Sequence, residues 1–179
     1  IGIASSGPHA NGYSLIRKLL AQSGLKGSDL FPGTDRLVKD VLLAPTTIYT
    51  ECIRNLLRDF PVNGMAHITG GGFYDNIPRA IPAQVKAVIN FGSWDIAPVF
   101  HWLKEQGKLS WPEMLQIFNC GIGYAIIVPK ESADEVVRRI LALHLPAWVI
   151  GSIGRCKDEE QVEVRFQGER RADDSAHHS

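Results

Sequence analysis

Three consecutive glycines, Gly70, Gly71 and Gly72, join the apolar run Gly64-Met65-Ala66-His67-Ile68 to the polar cluster Phe73-Tyr74-Asp75-Asn76-Ile77-Pro78-Arg79. Such a run carries a high conformational-entropy cost, and a chain accepts it where the backbone must take positive φ or lie against another group. The segment before it suits a short buried strand and the segment after it a short helix, so the glycines mark a strand-to-helix switch. Switches of this kind expose backbone N–H groups and favour anions. The glycines alone are equally served by a plain tight turn with His67 packed in the core. Neither Gly-Lys-Ser/Thr nor Gly-x-Gly-x-x-Gly is present here, so they do not by themselves indicate a nucleotide.

Two further glycine turns share this layout. Ile1 to Ala4 reads as a strand, followed by Ser5-Ser6-Gly7-Pro8-His9-Ala10-Asn11-Gly12. A helix is then expected from Tyr13 to Gly24, with Leu15, Ile16, Leu19 and Leu20 at helical spacing and Asn11 or Ser14 as its cap. The third turn, Phe118-Asn119-Cys120-Gly121-Ile122-Gly123-Tyr124, precedes an apolar strand from Ala125 to Val128, with Asn119 expected at its mouth.

Composition narrows the class. The chain has 179 residues, 45% of them apolar and 21% charged, enough for one domain with a sizeable core. Lys and Arg equal Asp and Glu at 19 each, which argues against a nucleic-acid or membrane surface built on net charge. Cys52, Cys120 and Cys156 are far apart and form neither a zinc motif nor a disulfide framework, as befits a reducing cytoplasm. No apolar run approaches the roughly 20 residues that span a bilayer. The chain opens at Ile1 in strand-like sequence without an initiating methionine, and is expected to be a fragment of a longer polypeptide.

Between the turns, a short helix is expected over Arg36–Leu43 and a longer one from Thr46-Thr47 to Arg58, with Ile48, Cys52, Ile53, Leu56 and Leu57 as its buried stripe. Gln84–Asn90 alternates as a strand, and Pro98 and Pro112 open two helices. Ser132 and Glu135 match a capping box for a helix carrying Val136, Val137, Ile140, Leu141 and Leu143. Trp148–Ile153 and Val162–Phe166 read as closing strands, so that the last part of the chain has the order of a ferredoxin-like half. Residues 167–179 contain no apolar side chain larger than alanine and are expected to be a loose polar tail, its His177-His178 pair a weak metal signal.

Taken in order, Ser5-Ser6-Gly7-Pro8-His9-Ala10-Asn11-Gly12-Tyr13, His67-Ile68-Thr69-Gly70-Gly71-Gly72 with Asn76-Ile77-Pro78-Arg79, and Phe118-Asn119-Cys120-Gly121-Ile122-Gly123 resemble the C-terminal half of the phosphoribosylformylglycinamidine cyclo-ligase (aminoimidazole ribonucleotide synthetase) family. The resemblance runs from Ile1 to about Phe166. It implies an α/β domain of three layers, α/β/α, with a mixed sheet. An N-terminal domain outside this chain is then the main holder of ATP and Mg, and the full-length enzyme is expected to be a homodimer. The implied substrate is formylglycinamidine ribonucleotide, converted to aminoimidazole ribonucleotide in purine biosynthesis, with neither a nucleic acid nor a membrane as partner. Formylglycinamidine ribonucleotide synthetase and selenophosphate synthetase share the architecture, and a non-catalytic ligand-binding module stays open beside them.

Under that resemblance, Ser5, Ser6, Gly7, Gly12, Thr69, Gly70, Gly71 and Gly72 are candidates for a phosphate and substrate cradle. Arg79 is the candidate charged clamp. Asn76 is a further candidate for substrate or phosphate binding, Asn11 and Asn119 are candidate orienting amides, and His67 or His9 the candidate proton donor or electrostatic partner. From their positions all three cysteines are expected to be dispensable for chemistry, Cys52 on a buried stripe and Cys156 in a late loop, with Cys120 alone inside a motif.

Overall fold

The computed structural model describes residues 1–157 and 160–166. The polar tail and its two histidines lie outside them. Strands β1 (Gly2–Ala4), β2 (Gly64–His67), β4 (Ile122–Ile127) and β5 (Ala147–Trp148) form one sheet in the order β2-β4-β1-β5, every neighbouring pair antiparallel. Strands β3 (Val85–Asn90), β6 (Gly151–Arg155) and β7 (Val162–Arg165) form a second sheet in the order β6-β3-β7, with one antiparallel and one parallel pairing.

The first sheet is ferredoxin-like as a whole. Because β4 lies antiparallel between β1 and β2, those two strands run parallel, and the connection between them carries helix α3 (Thr50–Asp59). In the same way β1 separates β4 from β5, which are joined through α7 (Ala133–Ala142). Two split βαβ units are thereby interleaved. Alternation along β4 divides the core: Ile126 and Tyr124 pack with Ile3, Cys52, Leu56, Val136 and Ile140 under α3 and α7, while Ala125 faces the larger cluster on the other side. That cluster joins the second sheet, through Ala87, Ile89 and Val162, to α1 (Tyr13–Ser23), α2 (Val38–Leu42), α4 (Gly72–Asn76), α5 (Pro98–Gly107) and α6 (Trp111–Ile117). The result is a mixed α/β fold in which the four-stranded sheet is the middle layer.

Several local expectations are corrected. Trp148–Ile153 is two strands in different sheets: β5 pairs with β1 and β6 with β3, the chain crossing over at Val149–Ile150. Periodicity reports extended backbone but not the sheet it joins. Helix α3 starts at Thr50, and Ile48 and Leu57 are exposed, leaving Cys52 and Leu56 as its buried positions. Residues 44–49 stay non-helical because their polar groups bond to the loop after β1. Neither Asn11 nor Ser14 caps α1; Gly12 does, at φ 73°, without a side-chain bond. Ser132 ends a 3₁₀ turn and makes no capping bond, whereas Ser110 and Glu113 form a reciprocal capping box on α6. Strand β2 lies at a sheet edge, so Ala66 alone of its residues is buried.

Candidate functional site

Strand direction brings the three glycine turns to one edge of the sheet. The loops after β1 and β2 leave from strands that run the same way, and the Asn119–Gly121 turn enters β4, which runs against both. Ser5 N–H donates to Gly121 O at 2.9 Å and Ile68 N–H to Gly123 O at 2.9 Å, stitching the turns together. The Asn11 side-chain oxygen lies 3.7 Å from the position a Cβ would take on Gly70, so the first loop meets the second.

Two buried asparagines hold these loops in shape. The Asn119 side-chain oxygen accepts from Ser5 Oγ and from Gly121 N–H, each at 2.9 Å, while its Nδ2 donates to Gly7 O at 3.0 Å. Asn119 is 1% exposed, so it is a rivet between the first and third turns and does not stand at the mouth. Asn76 does the same for the triple glycine: its Nδ2 donates to the carbonyls of Thr69, Gly70 and Gly72, and its oxygen accepts from Thr69 Oγ1 at 3.0 Å. With those carbonyls drawn inward, the N–H groups of Gly70 and Gly71 take no hydrogen bond among the described residues. The α1 N-terminus adds further donors, with no acid in its first turn and no side-chain cap.

Around these amides stands an aromatic group. His67, at the end of β2, is exposed; its ring stacks on Tyr124 at 5.8 Å and meets the edge of Tyr49 at 5.8 Å. It is therefore not a core histidine. Tyr49 donates its hydroxyl to Ala4 O at 2.7 Å, and burial pushes its pKa up to about 12, so it stays protonated. A Cβ on Gly123 would lie 2.0 Å from the Tyr49 oxygen, so only glycine admits Tyr49 there. Tyr49 lies outside the helical stripe that periodicity marks. A glycine inside a β-strand signals such a close approach, and Gly123 was the available clue.

His9 is buried, 6% exposed, at φ 56°. Its Nε2 accepts from Ser6 N–H at 3.1 Å and from Thr47 N–H at 3.4 Å. The neutral ring must then carry its proton on Nδ1, which has no partner among the described residues. Burial, and after it the nearby His67, lower its pKa from the ordinary histidine value. His9 is thus suited to be a neutral acceptor at this point, in contrast to the exposed His67. Arg79 is exposed on the 3₁₀ turn Pro78–Ala80, which follows α4 directly and packs at the Gly64 end of β2. Among the described residues its side chain makes no hydrogen bond or ion pair with the other candidates.

Cys120 lies within the third turn, fully buried, and burial pushes its thiol far above the usual range. A protonated, inaccessible thiol is no nucleophile. Cys120→Ala is expected to lower stability by roughly 1 kcal/mol and to leave any chemistry at the three turns nearly unchanged. Paired melting and rate measurements check this, and a collapse of rate at unchanged melting temperature would overturn it.

A mixed α/β domain whose ferredoxin-like sheet gathers three glycine turns at one edge defines the class, and residues 1–163 match the family described as AIR synthase related protein, C-terminal domain. The chain belongs to that family. Over 168 residues it is 62% identical to the phosphoribosylformylglycinamidine cyclo-ligase of Oleidesulfovibrio alaskensis, covering 93% of this chain and 48% of that protein. Over 167 residues it is 51% identical to the protein of the same name from Lawsonia intracellularis, again 93% of this chain and 48% of the relative. The chain spans about half the length of the curated relatives it matches. The thiamine-monophosphate kinase of Stenotrophomonas maltophilia K279a superimposes with a TM-score of 0.53 at 21% identity, over 91% of this chain and 49% of that one, a likeness of fold alone.

Proposed function

We propose that this chain is the C-terminal half of an ATP-dependent cyclo-ligase that converts formylglycinamidine ribonucleotide to aminoimidazole ribonucleotide, releasing ADP and phosphate. The observation that carries the reading is the set of unpaired N–H groups at Gly70 and Gly71, held outward by Asn76 and adjoining the α1 N-terminus through Asn11. In this chemistry the formyl oxygen takes the γ-phosphoryl group of ATP. A nitrogen of the same substrate then attacks the formyl carbon, the bond to the phosphorylated oxygen breaks, and phosphate leaves as the imidazole ring closes.

This chain's contribution is to place and stabilise. The Gly70 and Gly71 amides, with Ser6, Gly7, Asn11, Gly12 and the Thr69 backbone around them, form the anion cradle that stabilises developing charge, while Ser5 spends its N–H and hydroxyl on Gly121 and Asn119 and shapes the loop. Exposed His67, whose ring nitrogens take no hydrogen bond among the described residues, is placed to move a proton at the reacting nitrogen or oxygen. Asn119 and Asn76 act by fixing the loops. Mg and most contacts to ATP are assigned to the N-terminal half, as the resemblance to the cyclo-ligases implies. Tyr49, Tyr124 and His67 wall a cleft with Thr50 and Arg54 that is open to solvent.

The test is reconstitution. The 179-residue chain alone is expected to show no ATP-dependent ring closure, and joining it to the N-terminal half of a cyclo-ligase relative is expected to produce aminoimidazole ribonucleotide and ADP in equal amounts. Turnover by the chain alone, or none by the joined protein with a well-folded C-terminal half, would sink the proposal.

A further inference from the structure

The segment from Leu43 to Tyr49 lies as an irregular strap across the loop that follows β1. Three bonds tie it down: Ser6 Oγ donates to Pro45 O at 2.6 Å, Thr47 N–H to His9 Nε2 at 3.4 Å, and the Tyr49 hydroxyl to Ala4 O at 2.7 Å. Of its side chains only Tyr49, at its end, is buried, while Leu43 and Ile48 are exposed, so from 43 to 48 apolar burial does little to hold it. Polar bonds do that work there, and one of the three is made to an imidazole nitrogen. His9 Nε2 accepts from the strap at Thr47 and from its own loop at Ser6, joining the two.

The closed arrangement has two consequences. It occupies both the N–H and the hydroxyl of Ser6, groups assigned above to the anion cradle. It also leaves the buried Nδ1–H without an acceptor, which sets an unsatisfied donor against the bonds gained and makes the strap openable. We propose that His9 is a positioning residue, a neutral latch whose Nε2 holds the 43–49 strap shut over the Ser5–His9 loop, and that the strap must release before an anionic ligand can use Ser6. The part concerning the ligand rests on the cyclo-ligase reading; the latch does not.

Protonating Nε2 turns the acceptor into a donor and breaks both bonds at once. The groups facing the ring are His67 from β2 and Tyr49 from the end of the strap, and among the described residues no carboxylate is bonded to it. Burial and His67 both favour the neutral ring, so the latch is fully set above the ordinary histidine value of about 6.5 and weakens as the pH falls below it.

The tautomer of His9 in the 179-residue chain is read directly from its ring ¹⁵N shifts, with protonated Nδ1 and bare Nε2 expected at pH 7.5. Amide exchange at Thr47 and Ser6 is expected to rise about tenfold in His9→Ala, the change that follows loss of one hydrogen bond. His9→Gln, whose side-chain oxygen stands near the place of Nε2, should restore most of the protection. Lowering the pH should speed exchange in the parent chain, after correction for intrinsic rates, and not in His9→Gln. A proton found on Nε2, or unchanged exchange across 43–49 in folded His9→Ala, overturns the latch; should His9→Ala not fold, the tautomer and the pH series decide. In the joined enzyme, loss of turnover in His9→Gln with strap protection intact would show that His9 transfers a proton and would overturn its positioning role. Inactivity of the joined parent protein with the latch signatures present would count against the cyclo-ligase reading alone.

Discussion

His67→Asn in the full-length enzyme is expected to lower turnover by about 10²–10⁴-fold, the usual worth of general acid–base help, with little change in melting temperature. The side chain is exposed, so no core cavity or buried orphan is left behind. Its contacts are ring contacts with Tyr124 and Tyr49, and strand β2 delivers it two residues before Thr69 and the open Gly70–Gly71 amides. Asparagine keeps a polar group of similar reach that does not titrate near neutrality. Steady-state rates beside melting curves separate the outcomes. If the variant turns over normally, or loses rate only in proportion to lost folded protein, the proton is handled elsewhere and His67 merely lines the cleft.

The second large effect concerns stability. Gly72→Ala is expected to cost about 2–5 kcal/mol, from the left-handed backbone at φ 61° and from overpacking. A Cβ there would lie 1.9 Å from Leu115 O and 3.2 Å from Phe118 O, backbone atoms at the end of α6 that cannot rotate away. Gly24→Ala is the control: its φ of 73° is similar, yet nothing lies within 4 Å, so only the conformational part of the cost applies. Urea or thermal unfolding of both variants provides the comparison. Equal losses at the two sites would show that close approach to α6 is not what demands glycine at position 72.

The difference between these glycines shows how far the chain could be read in one dimension. Gly70–Gly72, the Ser5–Gly12 loop and the Asn119–Gly123 turn were recognisable as strand-loop-helix and loop-strand junctions, because backbone freedom and hydrophobic period are local properties. Helices α1, α5 and α6 and strand β3 were legible on the same grounds. Ile48 was misassigned to a buried stripe because periodicity cannot see that Thr47 N–H and the Tyr49 hydroxyl find partners some 40 residues earlier in the chain. The split of Trp148–Ile153 between two sheets escaped for a similar reason, since one extended segment can satisfy either edge.

By itself, then, the sequence determined which residues are polar, small and adjacent: His67 beside Thr69 and the glycines, Asn76 a helical turn beyond them, His9 after Ser5-Ser6-Gly7. It did not determine their roles. Placing β4 antiparallel between β1 and β2 gathers the three turns at one edge, and only that placement gives Asn119 its partners on Ser5 and Gly7, more than 110 residues away. Burial then separates residues of one chemical type. Asn119 and Asn76 turn inward and spend their amides on the loops, while His67 keeps its ring nitrogens open and the buried His9 accepts at Nε2. Hydrogen-bond partners and desolvation are properties of the folded surroundings, and they decide whether a histidine can carry a proton or can only accept one bond from a neighbouring strap.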